Sequence, residues 1–170
     1  MSILYLGILS LALVLSLTYM VYLLYAIVSA APFVPTPWRE VRRMLMMAQI
    51  QPGECLIDIG SGDGRLVFAA AAAGARGIGI EINPILYAWS IIKTKLRRRL
   101  RVTFRRENLW QTDLSQADVL TIYCLPGKME LLGEKIKREM RPGARVVVYA
   151  FPFPDWPYSE KDGKVYLYKI

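Results

Sequence analysis

The stretch Leu56-Ile57-Asp58-Ile59-Gly60-Ser61-Gly62-Asp63-Gly64 decides the fold of this 170-residue chain. It passes from a short apolar strand into a glycine-rich loop, and the run over residues 65–73 that follows has helical character. Glycines at alternate positions let the backbone approach a ligand where a Cβ atom would clash. The first amides of the following helix point at the same place. The stretch therefore predicts a strand–loop–helix unit that binds a ligand, with a purely structural turn as the alternative.

The spacing of the glycines narrows the class of ligand. A dinucleotide-binding loop has a third glycine or alanine at the position that Arg65 occupies here, so NAD and FAD are disfavoured. The pattern D-x-G-x-G-x-G instead resembles the first motif of class I methyltransferases, which use S-adenosylmethionine. That resemblance implies a cofactor loop formed by Asp58, Gly60, Ser61, Gly62 and Gly64.

The composition divides the chain into an uncharged and a charged part, and it excludes several kinds of catalytic and metal site. The first 38 residues carry no charged side chain, so all 22 Lys and Arg and all 14 Asp and Glu residues follow them. His is absent, which excludes a Ser-His-Asp triad and His-ligated zinc. Two cysteines, Cys55 and Cys124, are too few for a metal cage or a disulfide framework. No metal site is predicted, and reduced thiols in a cytosolic domain are expected.

The apolar run from Ile3 to Ala31 predicts one transmembrane helix, which makes residues 1–31 an anchor segment. At a rise of about 1.5 Å per residue, the run exceeds the roughly 20 residues that cross a bilayer core. A signal peptide cleaved after Ser29-Ala30-Ala31 is the alternative, but no Lys or Arg precedes the run. Arginines begin at Arg39, so the positive-inside tendency predicts a single-pass membrane protein whose following domain is cytoplasmic.

A proline-rich link and an amphipathic helix are predicted over residues 32–50. The prolines of Pro32-Phe33-Val34-Pro35-Thr36-Pro37 prevent a helix within that stretch. Thr36 as N-cap and Pro37 at the first helical position would then begin a helix that runs to about Gln49. Its arginines and apolar residues indicate a helix on a membrane surface, and an ordinary helix that covers the domain is the alternative.

Residues 51–170 alternate apolar strands with helices, which predicts an α/β, Rossmann-like, mostly parallel sheet with helices on both faces. The expected strands lie at residues 55–59, 75–82, 102–105, 118–123 and 144–151. The expected helices lie at residues 65–73, 84–98 and 129–140. After Pro157 only residues 164–169 read as a strand, so we expect the C-terminal end of the fold to be trimmed.

Two further positions fit a nucleotide at the carboxyl ends of the strands, where ligands bind in such sheets. Glu81 closes the second strand about 20 residues after the glycine loop, where an acid accepts hydrogen bonds from ribose hydroxyls. A solvated acid at a strand end is the alternative. Asn108 follows the third strand, where methyltransferases place an acid or amide against the adenine amino group, and Leu109 would pack on the ring. Plain turn chemistry is the alternative for Asn108.

Five segments together resemble the small class I protein-lysine methyltransferases, a family that includes soluble archaeal enzymes and the mitochondrial enzymes that modify the c-subunit of ATP synthase and the adenine nucleotide translocase. The segments are residues 32–37, 58–65, 108–110, 123–126 and 151–156. The resemblance implies S-adenosylmethionine as cofactor and a protein with an accessible lysine as substrate. It also implies that Tyr123 and Pro126 accept or orient the amine, with Tyr123 as a core aromatic residue as the alternative. Asn108 departs from the Asp that the family more often has at this position.

The aromatic residues of the last segment have two readings. Phe151, Phe153 and Trp156 either wall a channel for the lysine side chain or form a plain lid between prolines.

Eight basic residues between Lys93 and Arg106, without an acid among them, predict an anionic partner. Anionic lipid is favoured over RNA because no RNA-binding motif accompanies the run, and a solvated helix face is the alternative. The resulting hypothesis is a membrane-anchored methyltransferase that N-methylates lysine on a membrane or membrane-proximal protein. Methylation of RNA, lipid or a small molecule, and a non-catalytic cofactor-binding membrane protein, are the alternatives.

Overall fold

The computed structural model describes residues 3–28 and 33–170, which fall into two compact units with the boundary between Val34 and Pro35. The cleavage site considered at Ser29-Ala30-Ala31 and the first proline of the link, Pro32, lie outside the described residues.

The first unit contains one long apolar helix, α1 (Ile3–Val28). By length and composition it can cross a membrane, because Leu4–Leu24 reaches a mean hydropathy of 2.1 and none of it is buried inside the protein. The hydroxyls of Ser10 and Thr18 donate to backbone carbonyls one turn earlier, each at 2.8 Å. These two hydroxyls are therefore satisfied within the helix, as an apolar environment requires.

The second unit is built on one seven-stranded sheet. Its strands are β1 (Cys55–Ile59), β2 (Arg76–Ile80), β3 (Val102–Arg105), β4 (Val119–Ile122), β5 (Arg145–Tyr149), β6 (Glu160–Asp162) and β7 (Val165–Lys169). Their order is β3-β2-β1-β4-β5-β7-β6, with β1 to β5 parallel and β7 antiparallel to both of its neighbours. The predicted parallel sheet is confirmed, and an antiparallel hairpin extends it. All five residues of β1 are buried, as expected for a central strand covered on both faces.

Four α-helices accompany the sheet. They are α2 (Trp38–Ala48), α3 (Arg65–Ala72), α4 (Pro84–Leu96) and α5 (Met129–Glu139), the last preceded by a 3₁₀ turn at Pro126–Lys128. Asn83 caps α4, since its side-chain oxygen accepts hydrogen bonds from the amides of Ile85 and Leu86.

The start of α2 differs from the predicted one. Pro37, not Thr36, is the N-cap, and no side chain caps the helix. The carbonyl of Pro37 accepts hydrogen bonds from the amides of Glu40 and Val41 at 2.9 and 3.0 Å. The carbonyl of Thr36 instead accepts a hydrogen bond from Arg65 at 2.8 Å, a long-range contact that local capping rules cannot anticipate.

The apolar face of α2 packs on the sheet, which is the alternative considered for this helix. Val41, Met44, Met47 and Ala48 are buried in one cluster with residues of α3 and of strands β1, β4, β5 and β7. Because these side chains are covered by protein, the face assigned to a membrane surface is not available to lipid. Helix α2 therefore belongs to the sheet domain.

The C-terminal end is more complete than expected. Residues 160–162 form β6 and pair with β7, so the expectation of a missing hairpin is wrong. The stretch Glu160-Lys161-Asp162 is charged and exposed, which suits an edge strand but gives no apolar pattern. Residues 150–159 form no helix, so the expected loss of a helix from this end of the fold is confirmed. Aromatic packing closes this segment, and the Phe153 amide donates to the Tyr168 hydroxyl at 3.0 Å.

Candidate functional site

The loop after β1 is shaped by three glycines with left-handed backbone. The φ angles of Gly60, Gly62 and Gly64 are 71°, 56° and 76°. The amides of Gly60 and Ser61 donate to the carbonyl of Ile80 at 2.9 and 3.0 Å, which ties the loop to β2. These bonds fix the loop before any ligand arrives.

Two of these glycines serve opposite purposes. A Cβ atom on Gly64 would lie 2.5 Å from the ring of Phe104, so a side chain there is excluded by both packing and backbone conformation. A Cβ atom on Gly60 would meet nothing within 4 Å. The backbone at Gly60 is exposed and open, which is what close approach of a ligand needs.

Glu81 is bonded directly to the glycine loop. Its Oε2 accepts a hydrogen bond from the Gly62 amide at 2.8 Å, and its Oε1 accepts one from the Asn83 amide at 2.7 Å. The side chain is buried, and burial raises its pKa while the hydrogen bonds from Asn83 and Gly62 oppose that rise. A carboxylate has about four acceptor positions, so the backbone amides leave acceptor capacity for a ribose hydroxyl. The alternative of a solvated acid at the strand end is therefore excluded.

Asp58 and Ser61 supply further polar atoms to the same edge. The Thr121 hydroxyl donates to Asp58 Oδ1 at 2.7 Å, and this bond joins β1 to β4. Burial of the Asp58 carboxyl raises its pKa to about 7. The Ser61 hydroxyl is buried and has no hydrogen-bond partner within the described residues. Buried polar atoms are nearly always paired, so this oxygen is an exception. It lies 2.7 Å from the position that a Cβ atom on Gly79 would take, which places it against β2.

Ion pairs of Asp63 with residues of α3 and α4 also hold the glycine loop in place, and the sequence did not predict them. Asp63 Oδ1 lies 2.9 Å from Arg65 Nε, and Asp63 Oδ2 lies 3.1 Å from Lys93 Nζ. Burial raises the pKa of the Asp63 carboxyl, but hydrogen bonds from Arg65 and Lys93 outweigh it and hold the pKa below its usual value. The hydroxyl of Ser90 donates to the Gly62 carbonyl at 3.1 Å. Helices α3 and α4 thus brace the loop.

Asn108 and Leu109 follow β3 and so lie at the same sheet edge. Asn108 Oδ1 accepts a hydrogen bond from the Trp110 amide at 3.1 Å, which is the turn chemistry considered as its alternative. One lone pair of that oxygen remains for a ligand donor. Leu109 is buried. The contact of either residue with an adenine ring stays a prediction.

Tyr123 and Pro126 lie beyond the carboxyl end of β4. The Tyr123 ring packs edge-on against Tyr149 with centroids 4.8 Å apart, and lies parallel to Phe151 at 6.5 Å. Tyr123 is half-buried and Pro126 is exposed at the start of the 3₁₀ turn. Tyr123, Tyr149 and Phe151 thus form an aromatic group around the carboxyl ends of β4 and β5, at the same edge of the sheet as the glycine loop.

Phe151, Phe153 and Trp156, which could have formed a lysine channel, pack in two separate groups. Phe153 and Trp156 stack on each other with centroids 5.0 Å apart, and both pack on Tyr168 of β7 at 4.9 Å. Phe151 alone joins Tyr123. Phe153 and Trp156 belong to the aromatic packing that replaces a helix between β5 and β6, which is closer to the lid reading.

A parallel β3-β2-β1-β4-β5 sheet with a terminal antiparallel hairpin, a glycine loop after β1 and a buried acid after β2 defines a class I methyltransferase fold. Comparison with known families agrees. The ANTKMT methyltransferase domain matches residues 58–160, and the chain belongs to that family.

Similar proteins include enzymes described as protein-lysine methyltransferases and one described as an RNA methyltransferase. The lysine N-methyltransferase of the ATP synthase C-subunit from Rattus norvegicus is 38% identical over 135 residues, covering 78% of this chain and 62% of that protein. The protein-lysine N-methyltransferase of Saccharolobus islandicus is 33% identical over 150 residues, covering 82% of this chain and 93% of the relative. The crystal structure of an RNA methyltransferase from Salinibacter ruber with S-adenosyl-L-homocysteine has a TM-score of 0.77 and 38% identity, covering 81% and 94% of the two chains.

Proposed function

We propose that this chain is a membrane-anchored, S-adenosylmethionine-dependent methyltransferase that N-methylates lysine side chains of a membrane or membrane-proximal protein. The observation that carries the proposal is the 2.8 Å hydrogen bond between Glu81 and the Gly62 amide, which unites the glycine loop and the acid after β2 in one site. Family membership and relatives named as lysine N-methyltransferases support the reaction and the acceptor.

The residues present fit the cofactor. Glu81 has lone pairs for the ribose hydroxyls, and the open backbone at Gly60 admits a ligand against the loop. Asp58 lies near the carboxyl end of β1 and Ser61 lies in the loop after it, and we assign both to the polar amino-acid tail of the cofactor. We assign the cofactor to Asp58, Gly60, Ser61, Gly62, Gly64, Glu81, Asn108 and Leu109.

The acceptor side has the simpler task. When bound, S-adenosylmethionine supplies a methyl group on a sulfonium, and the chain need only hold a neutral amine in line with it. A free lysine has a pKa near 10.4, so only about one molecule in 2,500 is neutral at pH 7. Partial desolvation against the rings of Tyr123, Tyr149 and Phe151 lowers that pKa and raises the neutral fraction. Tyr123 and the backbone around Pro126 then orient the amine.

Helix α1 is the proposed anchor. Its length and hydropathy suit a single span, and the first charged residues after it are mainly arginines, Arg39, Arg42 and Arg43, which favours a cytoplasmic sheet domain. A single anchor confines the site to the bilayer surface and so raises its effective concentration toward membrane-proximal substrates.

Transfer of a tritiated methyl group tests the proposal. Membranes from cells that lack the chain are incubated with purified full-length protein and labelled S-adenosylmethionine, and the label is divided among protein, lipid and RNA. We expect label in protein that is recovered as methyllysine after hydrolysis, and none with the Glu81→Ala variant.

A second acceptor has a specific observation in its favour, because the Salinibacter ruber neighbour is described as an RNA methyltransferase. Label found in RNA would replace the lysine proposal with that one. Cofactor binding without transferred label in any fraction would instead support the non-catalytic alternative.

A further inference from the structure

Helix α4 presents an apolar ridge to solvent. The ridge consists of Ile85, Trp89, Ile92 and Leu96, whose side chains are 74%, 51%, 51% and 82% exposed. At 3.6 residues per turn, this spacing places all four within an arc of about 60° on the helix. Four large apolar side chains on one exposed stripe are more than the scattered surface residues of a soluble domain.

The inner face of α4, opposite the ridge, makes the contacts that attach this helix to the sheet domain. Ser90 is fully buried and bonds to the Gly62 carbonyl, and Lys93 bonds to Asp63. Tyr87 and Ile91 pack against the cluster of Phe68 and Phe104. The inner face therefore holds the cofactor loop, and the ridge adds nothing to the core of its own domain.

Cations surround the ridge. Lys95 lies about 80° to one side of it on the helical wheel and is exposed, whereas Lys93 on the other side is paired with Asp63. No acidic residue occurs between Ile85 and Arg106. Exposed basic side chains continue beyond the end of the helix, at Arg97, Arg98, Arg99 and Arg101. An apolar stripe with basic flanks is the composition of a helix that lies in a bilayer interface.

We propose that the α4 ridge docks into the interface of an anionic lipid bilayer, with the apolar side chains at the boundary of headgroups and acyl chains and Lys95 and the arginines on lipid phosphates. RNA would use the cations, but Ile85, Ile92 and Leu96 offer nothing to a phosphate backbone and cannot stack on bases. Because the inner face of α4 bonds to Gly62 and Asp63, docking of the ridge would hold the cofactor loop close to the membrane. This inference concerns docking and holds whatever the methyl acceptor is.

Depth measurement with a spin label tests the docking. The full-length chain with Ala88→Cys, an exposed α4 position beside the ridge, is nitroxide-labelled and placed in phosphatidylcholine nanodiscs with and without phosphatidylserine. Cys55 and Cys124 are buried, which directs the label to the new cysteine. The control label is Glu134→Cys, an exposed position on α5. We expect the label at 88 to change from nickel-chelate-accessible to oxygen-accessible when phosphatidylserine is present, and the label at 134 to stay nickel-accessible.

Two matched sets of variants separate the parts of the surface. Ile92→Glu with Leu96→Glu should return the label at 88 to water, and Lys95→Glu with Arg99→Glu should remove the dependence on phosphatidylserine. A label at 88 that stays as nickel-accessible as the one at 134 in both kinds of disc would overturn the proposal. Protection that needs an added protein extract would overturn it in favour of a protein partner. Titration of the same discs with S-adenosylmethionine shows separately whether the cofactor site works.

Discussion

The two halves of the sheet edge are built on different principles. On the β1–β2 side, the polar groups are fixed by backbone hydrogen bonds, such as those from Gly62 and Asn83 to Glu81 and from Ser61 to Ile80. On the β4–β5 side, Tyr123 is held by ring contacts with Tyr149 and Phe151. A site defined by backbone suits a cofactor, which is the same for every substrate. Aromatic side chains suit an acceptor site, because they can be replaced without disturbing the glycine loop.

The difference predicts which changes act on cofactor binding and which act on the acceptor. Backbone-defined sites fail when a Cβ atom or a missing acceptor disturbs the loop. Sites walled by side chains lose rate while the cofactor stays bound.

Gly64→Ala should have the largest effect. Its Cβ atom would meet Phe104 at 2.5 Å on a residue whose φ is 76°, so we expect a loss of about 3 kcal/mol in the free energy of unfolding. Cofactor binding should be lost with it. Gly53→Ala is the matched control, because its φ is 89° but its Cβ atom meets nothing within 4 Å. Urea unfolding of detergent-solubilised protein compares them, and equal losses would show that packing at Phe104 plays no part.

Glu81→Gln should weaken S-adenosylmethionine binding by about 10- to 100-fold, because the amide keeps one acceptor oxygen for two backbone donors. Isothermal titration measures the effect. Glu54→Gln is the control, since Glu54 also accepts a backbone hydrogen bond, from Gln51 at 2.8 Å, but lies outside the site. Unchanged affinity in Glu81→Gln would remove this acid from the cofactor site.

Tyr123→Phe should lower the methyl-transfer rate about tenfold through loss of one hydrogen bond to the amine, with cofactor affinity unchanged. The ring contacts with Tyr149 and Phe151 survive the change. Tyr149→Phe removes a hydroxyl from the same aromatic group and serves as control in the labelling assay. A similar loss in both variants would make Tyr123 a core aromatic residue only.

Asp58 links the two halves through Thr121, and its protonation gives the smallest effect. Burial raises its pKa to about 7 from 3.8, so the native state binds the proton more tightly than the unfolded chain. Stability from this group is complete below the unfolded pKa and is lost as pH rises through about 7. Between about pH 6 and pH 8 the free energy of unfolding should fall by about 1 kcal/mol relative to Asp58→Asn. Parallel curves for the two proteins would exclude the buried carboxyl as the source.

The sequence was sufficient for the parts of the fold that local pattern controls. The five parallel strands follow from apolar runs, and the glycine loop from its spacing, so β1 and β3 were predicted to the residue. Edge strand β6 was missed because Glu160-Lys161-Asp162 pairs through its backbone and faces solvent with charged side chains. The prediction of Thr36 as N-cap was wrong because the first amides of α2, those of Glu40 and Val41, bond to the carbonyl of Pro37.

The site divides in the same way. Glu81 was assigned to the cofactor from its distance to the glycine loop, and that role stays a prediction. Its hydrogen bond to Gly62 could be seen only in the fold. Lys93 was counted with the basic run, yet it pairs with Asp63, a contact between residues 30 positions apart that periodicity does not reveal. The exposure of the α4 ridge was missed because apolar residues at helical spacing are normally expected to face a core.

Methyl transfer to membranes, measured for Glu81→Gln and Tyr123→Phe over a range of S-adenosylmethionine concentrations, distinguishes a cofactor side of the sheet edge from an acceptor side. If Glu81 binds the cofactor and Tyr123 orients the acceptor, a high cofactor concentration should restore the methyl-transfer rate of Glu81→Gln. It should not restore the rate of Tyr123→Phe. If the two variants respond to cofactor concentration in the same way, the division of the sheet edge into these two sites is contradicted.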